Sequence, residues 1–472
     1  MNLLKISWRN LWRNKRRTAV STASILFAVF FAVTMRSMQL GSYDHMIKGM
    51  IEVFTGFIQV QQKDYQDDPS LENTFECNDQ LIADLERIPG VKAAVPRVET
   101  FALISSGKLT KGAMVIGIDP VKERKLSNPE NLLVRFRITQ ESIDKLKDDN
   151  RLPVEVKEKL SDILNNSYSN TGTIAMDLEL DKAKQKDIIE IIASASSYSG
   201  KYLEPDDKGV LVSDRLAKYL KLNIGDSIVL MGQGYHGSSA AGLYPVRGII
   251  RFANPELDNK LIYMTLSNAQ NFCSLEKNIT TIAINLKDNS DEGMIAMQDT
   301  LSKKLANQSI VVKNWKQFNK VLMQQIDSDN QTGKAFLVLL YFIIFFGIFG
   351  TILMMIHERQ HEFGVVVAIG MRKTKLALIM AYELILMGLI GIITGTILSI
   401  PLLYILHNNP IRLTGNMAQA MEDMGFDPIM PLAWIDSYVF WQGIVVMIMV
   451  LLSCIYPLRK VLKLKEVEAL RS

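Results

Sequence analysis

Cysteine and histidine are scarce in this chain, and their absence removes whole classes of chemistry. Three cysteines and five histidines occur in 472 residues, with no C-x-x-C pair, so cysteine supplies no metal or redox signature. No G-x-x-x-x-G-K-[ST] stretch exists, so this chain does not bind ATP through a Walker A loop. The net charge is only +4, and no Lys/Arg tract is interleaved with aromatics; nothing points to nucleic acid. Cys77 and Cys273 lie in a large polar part and Cys454 in an apolar run. If that polar part is extracytoplasmic, a Cys77–Cys273 bridge and two free buried thiols are both open readings.

What the chain does have is long hydrophobic runs. Four segments reach the ~17–25 residues that a membrane-spanning helix needs: 18–40 around "AVSTASILFAVFFAVTM", 335–356, 376–400 ending at Pro401, and 438–457. No small-x-small cleavage site follows the first, which therefore reads as an uncleaved anchor. Lys and Arg give the orientation. Arg9, Arg13, Lys15, Arg16 and Arg17 precede the first span, and Arg359, Arg372, Lys373 and Lys375 separate the second from the third. Arg459, Lys460, Lys463, Lys465 and Arg471 follow the fourth, whereas the 401–437 loop has Arg412 against Glu422, Asp423, Asp427 and Asp436. The basic clusters share one side, the cytoplasm. Both termini are then inside, with 41–334 and 401–437 outside and 357–375 and 458–472 inside.

Residues 1–17, "MNLLKISWRNLWRNKRR", place Leu4, Trp8, Leu11 and Trp12 on one helical face and cations on the other, the pattern of a helix lying in the membrane interface. The outside part begins with an outward continuation of the first helix to about Phe54. Strand-like runs follow: "TGFIQVQ", "VETFALISSG", "GAMVIGID", "GVLVSD", "DSIVLMGQ", "YPVRGIIRF", "LIYMTL" and "ITTIAINL". Helical pieces such as Asp79–Ile88 and Asp214–Leu220 lie between them, which argues α+β. The polar stretch 122–208 suggests a membrane-proximal part (41–121 and 278–334) with a distal part, 122–277, inserted into it. The fold class expected is an integral membrane α-helical protein with four transmembrane helices and a large α+β extracytoplasmic domain between the first two. "GQGYHG" (Gly232–Gly237) matches G-x-G-x-x-G, but a loop and strand follow it where a dinucleotide site needs a helix.

His357-Glu358-Arg359-Gln360-His361 spells H-E-x-x-H. A zinc protease would place both imidazoles on one helical face, with Glu358 as general base and Glu383 as a third ligand. Gly364 and Gly370 weaken the helix that would hold the ligands, and a protease leaves the large outside part without a role.

The same segment, "ERQHEFGVVVAIGMRKTKL...YELILMGLIGIITG", resembles the C-terminal half of the FtsX/MacB/Lol-type ABC-transporter permeases. The family's E-R-x-x-E-x-G-x-x-x-A-x-G run is matched by Glu358, Arg359, Glu362, Gly364, Ala368 and Gly370. Its next-span E…G…G…G pattern falls on Glu383, Gly388, Gly391 and Gly395, and its "YP…EALR" ending on Tyr456, Pro457 and Glu468-Ala469-Leu470-Arg471. The layout of one span, a large outer domain and three spans also agrees. Within the family, "FTGFIQVQ", "VPRVETFALISSG", "LKLNIGDSIVLM", "VRGIIRFANPELDNKLIYM" and "VVKNWKQFN" resemble the lipoprotein-releasing (LolC/LolE-like) group. A MacB-like exporter and an FtsX-like signalling permease are the alternatives.

The resemblance implies a non-catalytic subunit in a bacterial inner membrane, with no cofactor on this chain. ATP and Mg would sit on a separate ABC ATPase. It further implies a second permease copy or homologue, a lipoprotein cargo, a periplasmic carrier and contact with membrane lipids. Residues 357–375 become a cytoplasmic coupling helix, with Glu358, Arg359, Glu362, Gly364, Val365, Val366, Ala368, Ile369 and Gly370 as the ATPase-coupling set. An apolar patch of Val365, Val366, Val367, Ile369 and Met371 in a charged loop calls for a partner. Met38, Met46, Met50 and Phe54, with Phe342, Phe345 and Phe346, are the candidate cargo-cavity lining, flexible methionines suiting variable acyl chains. Glu383 is a carboxylate inside a span, costly by ~2.5–3.5 kcal/mol unless paired or near the interface; a pairing role is expected ahead of proton relay. The family glycines of the third span are expected to be close helix contacts.

Overall fold

The computed structural model describes residues 3–13, 15–181, 185–306, 309–413, 417–418, 420–421 and 428–463, without the side chains of residues 17, 52 and 53. Lys465, Glu422, Asp423, Asp427 and the Glu468–Arg471 match lie outside them. The chain divides into two compact units: Met1–His45 with Gln324–Ile411 and Ile429–Ser472, and Met46–Met323 with Arg412–Pro428.

The first unit is helical. Its elements are α1 (Leu3–Arg13), α2 (Lys15–Ile47), α3 (Lys320–Glu358), α4 (Gln360–Ala368), α5 (Lys373–Asn408) and α6 (Ser437–Leu462). Four of these, α2, α3, α5 and α6, are long and apolar enough to cross a membrane. Three of the helix ends differ from the sequence expectation, the fourth span running on to Leu462 rather than stopping at 457. The third span does not stop at Pro401: α5 continues through it to Asn408, because apolar "LLYIL" follows and proline is tolerated in a spanning helix whose freed carbonyl finds other partners. The second helix begins at Lys320, well before the expected outer-domain limit of 334. The core is formed by α2, α3, α5 and α6 side chains, among them Val29, Val33, Ile352, Met380, Leu384, Val446 and Val450.

Glycines set the tightest helix contact in this unit. A Cβ on Gly391 would lie 2.7 Å from Ile25 Cβ, and one on Gly395 would lie 2.6 Å from the Leu26 carbonyl oxygen of α2. At Gly388 the neighbours are Met447 and Val450 of α6, at an ordinary 3.4 Å. Two of the three glycines therefore let α2 and α5 touch backbone to side chain, while the third only borders α6.

In the second unit, α2 runs on as a π-helical stretch, Lys48–Thr55, followed by a nine-stranded sheet. Its strands are β1 (Ile58–Gln62), β2 (Val91–Ser106), β3 (Leu109–Ile118), β4 (Val210–Ser213), β5 (Ser227–Gln233), β6 (Ser239–Ile250), β7 (Leu261–Thr265), β8 (Thr281–Leu286) and β9 (Ile310–Asn314). The order is β9-β1-β8-β2-β3-β7-β4-β6-β5, and β5 returns to pair with β2. The sixteen-residue β2 makes this possible: Val91–Arg97 pairs with β8, and Ala102–Ser105 with β5. Six strands thereby close into a barrel, which leaves them without a free edge. All eight strand-like runs became strands. The "GQGYHG" stretch is the β5–β6 connection, with a 3-10 turn at Tyr235–Gly237.

The expected split at 121/122 and 277/278 does not follow the sheet. Strands β4 to β7 belong to the segment expected as distal, yet β7 pairs with β3 and β5 with β2. Main-chain pairing joins what the polar composition of 122–208 seemed to separate. Only a smaller cluster has its own core, built from Ile138, Ile143, Leu146, Leu160, Ile174 and Ile192 among others. The Cys77 and Cys273 thiols are unbridged; burial pushes them up to about 11 and about 12 respectively.

Phe54 belongs to the sheet core. It is buried, its ring meets Phe252 edge to face, and its carbonyl accepts from Arg97 at 2.5 Å. Arg97 and Glu123 form a fully buried pair, bonded at 2.5 and 3.2 Å. Arg97→Met should leave Glu123 as an uncompensated buried charge and destabilise this unit by about 3–5 kcal/mol. Amide exchange of the β2 and β8 segments in the full chain checks this; parental protection in the variant would refute it.

Candidate functional site: the elbow between the second and third spans

The chain leaves α3 at Glu358, bends at Arg359 (φ −103°, ψ 7°), and enters α4 at Gln360. The far end of α4 closes with a reciprocal pair of hydrogen bonds. Gly370 N–H donates to Val367 O at 2.9 Å and Met371 N–H to Val366 O at 3.2 Å. This is a Schellman ending, which places Gly370 at its left-handed position, and its φ is +108°. Here glycine serves geometry: a side chain would be strained at that φ.

Arg359 is the centre of the elbow. Its side chain is only 7% exposed, and its Nη1 donates to Glu383 Oε2 on α5 at 2.6 Å. Its Nε donates to Glu362 Oε2 at 3.3 Å, and its guanidinium lies over the buried Phe363 ring, 5.1 Å from the centroid. Glu383 is buried, as the sequence cost demanded, and its other oxygen accepts from Asn10 Nδ2 of α1 at 2.7 Å. Glu362 also accepts from Arg13 at 2.8 Å, an exposed contact of the kind worth ~0–1 kcal/mol. The intramembrane carboxylate is thus paired, by an arginine that sequence reasoning had assigned to the partner-facing surface. Arg359 faces inward.

The rest of the coupling set divides in the same way. Gly364 is buried, Val365 and Val366 are half-buried, and Glu358, Glu362, Ala368 and Gly370 are exposed. Val367 and Met371, expected in the apolar patch, pack instead against the helical core. Ile369 is 82% exposed. It borders an open depression of about 430 Å³ lined by Val366, Ile369, Gly370, Met371, Arg372 and Lys375. The surface this elbow presents is therefore a small apolar knob beside a basic cleft.

The zinc geometry does not form. His357 lies in the last turn of α3 and His361 on α4, with the helix broken between them at Arg359, so the two imidazoles do not share one helical turn. Glu383, the would-be third ligand, is taken by Arg359 and Asn10. Among the described residues no group of three or more His, Cys, Asp or Glu could hold a metal.

Of the cargo-cavity residues, Phe342 and Phe346 share an exposed face of α3, with ring centroids 4.8 Å apart. Phe345 turns toward the helical core, as does Met38, and Met46 and Met50 are half-buried. Phe54 is removed from the set by its place in the sheet core. Asn10 and Ser7 were missed; their one signal is that they are polar residues on the α1 flank beside the apolar Leu11.

Residues 334–465 match the FtsX-like permease C-terminal family. Two lipoprotein-releasing system transmembrane proteins LolC of Xylella fastidiosa, from strains 9a5c and Temecula1, are each 22% identical over 278 residues. That match covers 57% of this chain and 66% of each relative, just under two thirds of their length. Residues 334–465 are thus an FtsX-like permease domain, and the chain is similar to the Lol-type permeases. Looser likenesses join it to the periplasmic region of MacB from Actinobacillus actinomycetemcomitans (11% identity, TM-score 0.32, 59% of this chain and 95% of that one). The extracellular domain of the noncanonic ABC-type transporter YknZ from Gram-positive bacteria gives 10%, 0.28, 55% and 100% in the same terms. Both are too distant to argue from.

Proposed function

We propose that this chain is the permease subunit of an ATP-driven transporter that releases lipoproteins from the bacterial inner membrane. A separate ABC ATPase, carrying ATP and Mg, seats on the elbow. One observation carries the reading: Ile369 stands almost fully exposed on a short helix whose root, Arg359, is bonded to the third span. An apolar knob in water calls for a protein groove, and a push on it is delivered through the Arg359–Glu383 pair to α5. The work is large. At ~0.8 kcal/mol per buried methylene, some forty methylenes hold a lipoprotein by on the order of 30 kcal/mol, so release has to be driven.

A second permease copy would cover the exposed face of α3 around Phe342 and Phe346, where acyl chains also have room. The outer domain then hands cargo to a periplasmic carrier. Ile369→Glu should reduce co-purification of the ATPase by about tenfold, the ~1.4 kcal/mol of one lost apolar contact, while leaving the amount of permease in the membrane unchanged. Depletion of the chain should leave lipoproteins in the inner membrane. If depletion instead produces only antibiotic sensitivity, with lipoproteins sorted normally, the cargo is wrong.

A further inference from the structure

A helix that only rests on a membrane needs two faces, but α1 has three. Lys5 and Arg9 make an exposed basic edge. Leu4, Trp8 and Trp12 make an exposed apolar ridge, the two indoles meeting edge to face with centroids 6.0 Å apart. The third face, Ser7, Asn10 and Leu11, is turned onto α5. Ser7 is fully buried and donates to the Ile379 carbonyl at 2.9 Å, one turn before Glu383. Asn10 donates to Glu383 itself, Leu11 is 4% exposed, and Arg13, one turn on, donates to Glu362 of α4. The end of the helix is fixed as well, the Thr18 hydroxyl donating to the Leu11 carbonyl at 2.8 Å.

Buried polar side chains are unfavourable unless bonded; apart from the Ser7 bond back to the Leu3 carbonyl at 3.1 Å, the side-chain bonds given for Ser7, Asn10 and Arg13 end on the third span or the elbow. Leu11 was expected on the membrane-facing side with the tryptophans; it belongs to the protein-facing side.

We infer that α1 is a working part of the lever. Asn10 is a positioning residue: it fixes the Glu383 carboxylate, which fixes Arg359, so that the bend at Arg359 is stiff and α4 moves with α5. The tryptophan ridge keeps this assembly level with the interface, where indoles are favoured. Without the clamp, a push on Ile369 is absorbed as rotation at Arg359 and does not reach the third span.

The inference rests on the proposed function, and its test separates the two. The full chain with its ATPase is placed in liposomes containing a fluorescent triacylated lipopeptide, with delipidated albumin outside as acceptor. ATP turnover and lipopeptide release are measured together. Asn10→Asp sets a second carboxylate against Glu383. It should keep turnover within about twofold while release per ATP falls about tenfold, a loss of coupling and not of assembly. Asn10→Gln, which retains the amide donor, should restore most of the release. If turnover and release fall in proportion, α1 is only structural and the inference is wrong.

Should the parent release no lipopeptide, the cargo reading fails, and amide exchange decides the clamp alone. Exchange over residues 360–371 should then rise about tenfold in Asn10→Asp and not in Asn10→Gln. Parental exchange in Asn10→Asp would overturn it.

Discussion

Glu383→Ala should destabilise the membrane unit by about 3–5 kcal/mol, because it strands the Arg359 guanidinium in a buried site without its carboxylate. The pair is well made, with 2.6 Å between the charges and both side chains almost inaccessible. Thermal unfolding in detergent and the steady-state amount of chain in the membrane are the measurements. The double replacement Glu383→Leu with Arg359→Met removes both charges, so it should recover most of the stability, as apolar substitutes for buried pairs commonly do. Transport should stay lost in the double variant, since the elbow no longer has a bonded link to α5. A Glu383→Ala chain of parental stability that has lost transport, or the pH dependence of transport, would indicate proton relay and contradict the pairing role.

Gly395→Leu is the second change with a large expected effect. Its Cβ alone would overlap the Leu26 carbonyl, and the rest of the side chain would meet Val29. Overpacking of this kind typically costs about 1–3 kcal/mol, and here it falls on the contact that joins α2 to α5. Gly391→Leu should behave similarly. The control is Gly347 on α3, where a Cβ would meet nothing within 4 Å; Gly347→Leu should leave the unfolding temperature of the isolated chain unchanged. Equal effects at all three positions would mean that the close α2–α5 approach is wrong.

What could be read from residues alone follows from which signals are local. The four spans and the eight strand-like runs are contiguous patterns of apolar residues, so they were legible. The helix bounds were less so: Pro401 looked like a stop because proline removes a hydrogen-bond donor, yet the apolar run beyond it continues the helix. Closure of the barrel depends on one long strand serving two neighbours, which no local window displays.

The same division holds at the site. The glycine spacing and the cost of a carboxylate at Glu383 announced close contact and pairing. The partner, Arg359, is twenty-four residues away in sequence, and the second partner, Asn10, lies near the other end of the chain; neither could be chosen without the fold. Phe54 misled because it closes an apolar helical stripe, while its ring actually enters the core with Phe252 and Arg97. Val367 misled in the same way, being apolar in a polar loop and yet packed against the helical core, and Met371 is divided between that core and the open depression.

The direct measurement is site-specific photo-crosslinking from position 369 in living cells, with Glu358 and Phe342 as comparison positions. A benzophenone side chain at Ile369 should capture a protein that mass spectrometry identifies as a P-loop ATPase, with the adduct lost when Ile369 is labelled in a strain lacking that ATPase; position 342 should give none. Capture of the ATPase from Phe342 but not from Ile369, or lipid adducts alone at Ile369, would contradict the elbow as the seat of the motor.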